Sequence, residues 1–169
     1  MFERVLLATD GSSHAEEALK YARDLALRDG AQVIVVHAFA PVPSYLGEPW
    51  GDQAIGRHVA EGHRIAGLAA EQLREAGVDL KVEVLEGPPA DAILRVADVR
   101  QCDLIVMGSR GHGTVASLLL GSVSHRLLAH AQVPVMIVSA TAKDAGQALL
   151  NRHAPAAGGN LDQKRTNRQ

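Results

Sequence analysis

LIVMGSRGHGTVASLLLGSVS, residues Leu104–Ser124, is the stretch whose reading decides the fold. It opens on an apolar run, Leu104 to Met107, of the kind that fills a strand buried on both faces. The run breaks at Gly108-Ser109-Arg110-Gly111, with a third glycine at 113. Nine residues then separate Gly111 from Gly121-Ser122, where an apolar helical pattern begins. Strand, glycine loop and glycine-serine at a helix start make a physical recipe for holding phosphates. Glycines let the main chain come close and aim its N–H groups at an anion, and the helix N-terminus adds partial positive charge.

Outward from that stretch, buried strands and helices alternate. Val5–Ala8 is a short apolar strand that stops at Thr9-Asp10-Gly11. Ser13 with Glu16 reads as a capping box for a helix in which Ala15, Ala18, Leu19, Ala22, Leu25 and Ala26 recur at helical spacing, up to Gly30. Val33–Ala38 is the second strand, and Pro41, Pro43 and Pro49 break the loop after it. A long helix over Asp52–Ala76 carries an inner stripe of Ile55, Val59, Gly62, Ala66, Ala69, Ala70 and Leu73. Leu80–Leu85 sets Leu80, Val82 and Val84 against Lys81 and Glu83, a strand with one wet face or an edge position. Pro89 suits the first turn of the next helix, whose Ile93, Val96 and Ala97 face inward. Beyond the glycine stretch come a helix over Ser122–Ala131 and a last strand, Val133–Ser139.

Five strands and four helices in strict alternation predict a single doubly wound α/β domain, a parallel sheet with helices on both faces. Ligands of such sheets bind outside the strand C-terminal ends, where the strand order reverses. Thr9-Asp10-Gly11 and Gly108–Gly113 both follow strands directly. Asp10 can accept hydrogen bonds from ribose hydroxyls or meet a phosphate-bound metal there, or it can cap a turn.

Composition narrows the function classes. A chain of 169 residues with 47% hydrophobic and 21% charged side chains is ordinarily globular, and 3% aromatics leave the core to Val, Leu, Ile and Ala. A formal net charge of −2 argues against a nucleic-acid surface. One cysteine, Cys102, fits a reducing compartment, and neither a signal peptide nor a membrane-length apolar run is present, so the expectation is cytoplasmic with no membrane partner. There is no Gly-Lys-Ser/Thr for a P-loop, and the glycine order is wrong for a dinucleotide fingerprint. His58 with His63, and His125 with His130, are five apart and do not share a helix face, so no metal ligands are assigned. Residues 141–169 turn polar, with Lys143, Arg152, Lys164, Arg165 and Arg168 against Asp144 and Asp162. That composition reads as a disordered tail, or as one carrying a short helix around Ala145–Arg152.

Gly-x-x-Gly, nine residues and Gly-Ser resembles the nucleotide-binding signature of the universal stress protein family, in its ATP-binding branch. VLLATDGS (Val5–Ser12) and VPVMIV (Val133–Val138) resemble the same family, so the resemblance spans residues 1–140. It implies the strand order 3-2-1-4-5, a stress-response sensor or regulator, and a homodimer pairing through Val133–Ser139. It also implies an adenine nucleotide as ligand: ATP, with Mg²⁺ on its phosphates, or cyclic AMP, which related proteins take instead.

By the same resemblance Asp10 contacts the nucleoside with Thr9 beside it, and the main chain of Ala38 meets the adenine edge. Met107, Gly108, Arg110 and Gly111 line the ribose and phosphates, and Gly121, Ser122, Val123 and Ser124 hold the phosphate tail. Ser122 and Ser124 equally suit a helix start. The spacer HGTVASLLL holds no lysine or arginine, which leaves Arg110 as the fixed positive charge of the loop and His112 as a loop histidine that can approach a phosphate. Modest affinity and no assigned catalytic residue follow; a slow ATPase or autophosphorylating enzyme and a partner-binding scaffold with an empty pocket are the other readings.

Overall fold

The computed structural model describes residues 1–43, 45, 47–111 and 120–139. His112, Gly113 and the tail 141–169 lie outside them.

Strand β1 (Arg4–Ala8) lies at the centre of a five-stranded parallel sheet of order β3-β2-β1-β4-β5, with β2 at Gln32–Phe39, β3 at Leu80–Glu86, β4 at Leu104–Gly108 and β5 at Val135–Val138. Helices α1 (Ser13–Asp29), α2 (Trp50–Glu75), α3 (Pro89–Val99) and α4 (Ser122–His130) make the crossovers. Architecture and strand order are those expected from the sequence.

The pleat divides each central strand between two cores. Val5, Leu7, Val33, Val35 and Val106 pack with Ala18, Leu19 and Ala22 of α1 and Ala66 and Leu73 of α2. Leu6, Ala8, Ile34, Val36, Ile105 and Met107 pack with Ile93 and Val96 of α3 and Leu127 of α4. Val5, Leu6 and Leu7 are fully buried, so each contributes roughly 1.5–3 kcal/mol of apolar transfer. A strand apolar on both faces belongs in the middle of such a sheet.

Several boundaries differ from expectation. Ser12, not Ser13, caps α1: its φ of −72° and ψ of 162° are extended, and its hydroxyl accepts from the Ala15 N–H at 3.3 Å. With the cap at Ser12, Glu16 is one residue too far along to close a capping box. Helix α2 begins at Trp50 rather than Asp52, and Ile55 and Val59 are only half-buried because the first turns lack the close packing of the later ones. Burial in α2 starts at Gly62. Strand β5 is shorter than Val133–Ser139, since Val133 and Pro134 precede the ladder. It is a sheet edge, as is β3, where Val82 is exposed and Glu83 pairs with Arg100.

Candidate functional site

The site begins where β1 and β4 end side by side. Ala8 pairs with Met107 in the ladder, and both strands then give way to loops at the same edge of the sheet. On the β1 side, the Asp10 carboxylate accepts from the Ser12 N–H at 3.0 Å, and the Gly11 N–H donates to Thr9 Oγ1 at 3.3 Å. These local bonds fold residues 9–12 into a tight turn that delivers the chain to α1.

On the β4 side, glycine is a packing requirement. A Cβ on Gly108 would stand 2.7–2.9 Å from His14 and Ala15, so only a bare main chain lets the first turn of α1 rest on the end of β4. A Cβ on Gly111 would stand 2.3 Å from Asp10 Oδ2. The two loops are also bonded: the Ser12 hydroxyl donates to the Arg110 carbonyl at 3.3 Å. Residues about a hundred positions apart are thereby held as one rim.

Gly121 is of another kind. Its φ of −72° and ψ of 160° suit any residue, and the nearest atom to an added Cβ would be the Ser109 carbonyl oxygen at 3.6 Å, an ordinary contact. Neither the conformation nor the packing of the described residues demands glycine here. It is the N-cap of α4, with no side-chain hydrogen bond capping the helix, so the Ser122 and Val123 N–H groups face the space in front of it. The Gly121 N–H is itself bonded to Ser109 O at 2.9 Å, which fixes the helix start against the glycine loop.

Between these elements lies a cleft of ≈540 Å³, within the range of small-molecule sites, about 300–1,000 Å³. All eleven residues named from the sequence line it: Thr9, Asp10, Ala38, Met107, Gly108, Arg110, Gly111, Gly121, Ser122, Val123 and Ser124. Asp10 and Arg110 are the charged side chains among its lining. Arg110 Nε is buried and has no hydrogen-bond partner among the described residues. A guanidinium N–H in that state costs free energy until an acceptor meets it, and Arg110 lines the cleft beside the N-terminus of α4.

Ser124 differs from expectation in detail. It is 1% exposed, and its hydroxyl proton is directed at the Gly108 and Ser109 carbonyls, each at 3.3 Å. Its hydroxyl braces the glycine loop from beneath, leaving the donor task to main chain. The far wall, Val36, Pro89 and Ile93 with Ala8, was not among the residues singled out. The strand pleat carried the signal, because Ala8 and Val36 share a face with Met107 and Ala38, and Ile93 lies on the inner stripe of α3. Among the described residues no group of three or more His, Cys, Asp or Glu could hold a metal ion, and no helix is long and apolar enough to cross a membrane.

Comparison with known proteins gives a family match for the universal stress protein family over residues 1–139. A universal stress protein of Thermus aquaticus, encoded 3′ of a sulfhydrylase, is 45% identical over 139 residues, covering 82% of this chain and 99% of that one. The solved structure of protein MJ0577, described as a test case for assigning biochemical function from structure, superposes with a TM-score of 0.76 at 26% identity, covering 82% of this chain and 96% of that one. A universal stress protein solved in complex with cAMP superposes with a TM-score of 0.62 at 29% identity, covering 81% and 97%.

Proposed function

The chain belongs to the universal stress protein family, and from that premise we propose that it binds an adenine nucleotide in the β1/β4 cleft as a sensor or regulatory module of the stress response. The observation that carries the reading is the phosphate end of the cleft. There Arg110, whose buried Nε has no hydrogen-bond partner among the described residues, stands beside an uncapped helix start whose leading glycine nothing in the described residues requires. A glycine free of conformational and packing demands is what close approach of a ligand would select.

In this reading Arg110 and the Ser122 and Val123 N–H groups take the phosphates, and Asp10 accepts from the ribose hydroxyls with Thr9 beside it. The main chain of Ala38 meets the adenine edge, against the apolar wall of Val36, Pro89 and Ile93. ATP is the member of the class that the glycine spacing favours, with Mg²⁺ arriving on the phosphates. Cyclic AMP is the alternative, supported by the relative solved in complex with it. The protein works in the cytoplasm in this proposal. Two copies meet through β5, an edge strand whose Val135, Met136 and Ile137 are only half-buried and carry no charge to protect them.

The site is a binding site rather than a fast enzyme. Phosphoryl transfer at useful rates needs charge stabilisation, a held metal and a positioned base or water, and a single arginine finger contributes about a thousandfold or more. Arg110 alone supplies charge here, so turnover falls below about one per second, the low end of typical enzymes. The test is to denature the purified protein, chromatograph what it releases, and titrate the emptied protein calorimetrically with Mg-ATP, AMP and cyclic AMP. Saturable binding of at least one supports the reading. No binding of any of the three, with no nucleotide released, overturns it.

A further inference from the structure

We propose that His37 is a positioning residue for the nucleoside side of the cleft, acting on Asp10 through the Thr9 carbonyl without touching the ligand. The inference rests on the nucleotide-binding reading and adds to it a residue on the opposite face of the sheet.

His37 is in β2 between Val36 and Ala38, both of which line the cleft. The pleat therefore turns its ring to the other face, toward α2. His37 is 9% exposed, and its Nδ1 is 2.9 Å from the Thr9 carbonyl oxygen. A carbonyl can only accept, so Nδ1 carries the proton and donates. The β1–β2 ladder pairs residues as far as Ala8 with Val36, and Thr9 lies just past its end. There the Thr9 N–H still reaches Val36 O at 2.9 Å, while its carbonyl takes the imidazole. Both main-chain groups of Thr9 are thus fastened to β2, one by main chain and one by side chain.

The ring has little freedom to leave. A Cβ on Gly62 of α2 would stand 2.9 Å from His37 Cδ2, 3.6 Å from Nε2 and 2.6 Å from Val84 Cγ1. Glycine at this helix position lets α2 close over the imidazole and hold it in one orientation. From Thr9 the constraint passes to Asp10 in a single peptide unit. There Oδ1 accepts from Ser12 N, and Oδ2 lies where Gly111 leaves room. A Thr9 carbonyl without its donor lets that peptide rotate and carries the carboxylate away from the ribose.

The side-chain chemistry separates positioning from mere space filling. Asparagine places an N–H at the Nδ1 position, whereas glutamine places one nearer Nε2, and leucine has none. The experiment compares His37→Asn, His37→Gln and His37→Leu in the full chain, by calorimetric titration with Mg-ATP and AMP and by amide hydrogen exchange of the ligand-free proteins. The expected result is that Asn stays within about threefold of wild type. Gln and Leu should weaken both nucleotides by about tenfold, the size of one lost buried hydrogen bond, with faster exchange at the Gly11 and Ser12 amides. Wild-type affinity in Leu, or an Asn variant as weak as Leu, overturns the proposal. If wild type binds no adenine nucleotide, the nucleotide reading falls, and exchange that follows the same order still supports the hold on the loop while unchanged exchange refutes it.

Discussion

The two ends of the sheet each have a cleft against α3 and α4, and the contrast between them explains why only one reads as a site. At the strand C-terminal ends the ≈540 Å³ cleft is lined by the Arg110 guanidinium side chain and by the start of α4, whose first N–H groups have no side-chain cap. Toward the strand starts a ≈340 Å³ cleft is lined by Asp98, Gln101, Cys102, His130 and Gln132 among others. There helices end, and nearby donors are already spent on helix carbonyls. Arg100 N bonds Val96 O, Cys102 N bonds Ala97 O and Gln101 Nε2 bonds Asp98 O, each at 2.8 Å. Cys102 is buried, and burial pushes its thiol up to about 11, so it stays neutral and packs. In a parallel sheet every crossover helix begins at the same end, so the direction of the groups, more than the presence of a hollow, favours the C-terminal end as the proposed anion site.

Filling the phosphate end should break the contrast most. Gly121→Val should cost more than a hundredfold in nucleotide affinity, because a branched side chain fills the space in front of the α4 N–H groups. Melting should move little, since among the described residues an added Cβ meets nothing nearer than 3.6 Å. Calorimetry with Mg-ATP beside a thermal melt checks both, and unchanged affinity would mean that the phosphates lie elsewhere. Arg110→Ala comes next. Removing the charged donor costs about 1.5–3 kcal/mol, or about ten- to a hundredfold in affinity, and the loss should shrink as salt is raised.

Gly111→Ala should weaken binding by about tenfold through Asp10, whose Oδ2 lies 2.3 Å from where the new Cβ would stand. The Cys102 end should answer only in stability. A thiol whose folded value is about 11 against an ordinary 9.0 holds its proton in the fold after the unfolded chain has lost it. Its contribution is therefore complete below pH 9 and is lost as pH rises from 9 toward 11. Denaturant melts across that window should show a slope that Cys102→Ala lacks, with nucleotide affinity equal in both proteins at neutral pH.

What was legible in the sequence was what depends on period and spacing. Apolar runs such as Val5–Ala8 and Leu104–Met107 name central strands without ambiguity, and glycine spacing located the rim of the cleft. Two serines in a row hid which one caps α1, because both can accept from a helix N–H and the choice depends on where the turn after Asp10 ends. The inner stripe of α2 overstated its reach, since Ile55 and Val59 continue the period where close packing has not yet begun. Pro89 and Ile93 went unread as site walls because nothing local to them signals a ligand. They reach the cleft only once the crossover of α3 is folded over Ala8, Val36 and Met107.

The bond from Ser12 to the Arg110 carbonyl joins residues 98 apart in sequence. Its consequence falls on the order in which the protein can be completed during synthesis. The chain leaves the ribosome with β1 first, and until residues Leu104–Gly108 emerge, one whole side of this largely buried strand has no neighbour. About three-quarters of the domain must therefore be made while an apolar edge waits, the situation in which newly made chains stick to one another. Completion of the rim coincides with closure of that edge. A ligand that needs both loops thus recognises only finished molecules, and by mass action it withdraws them from the pool still able to open.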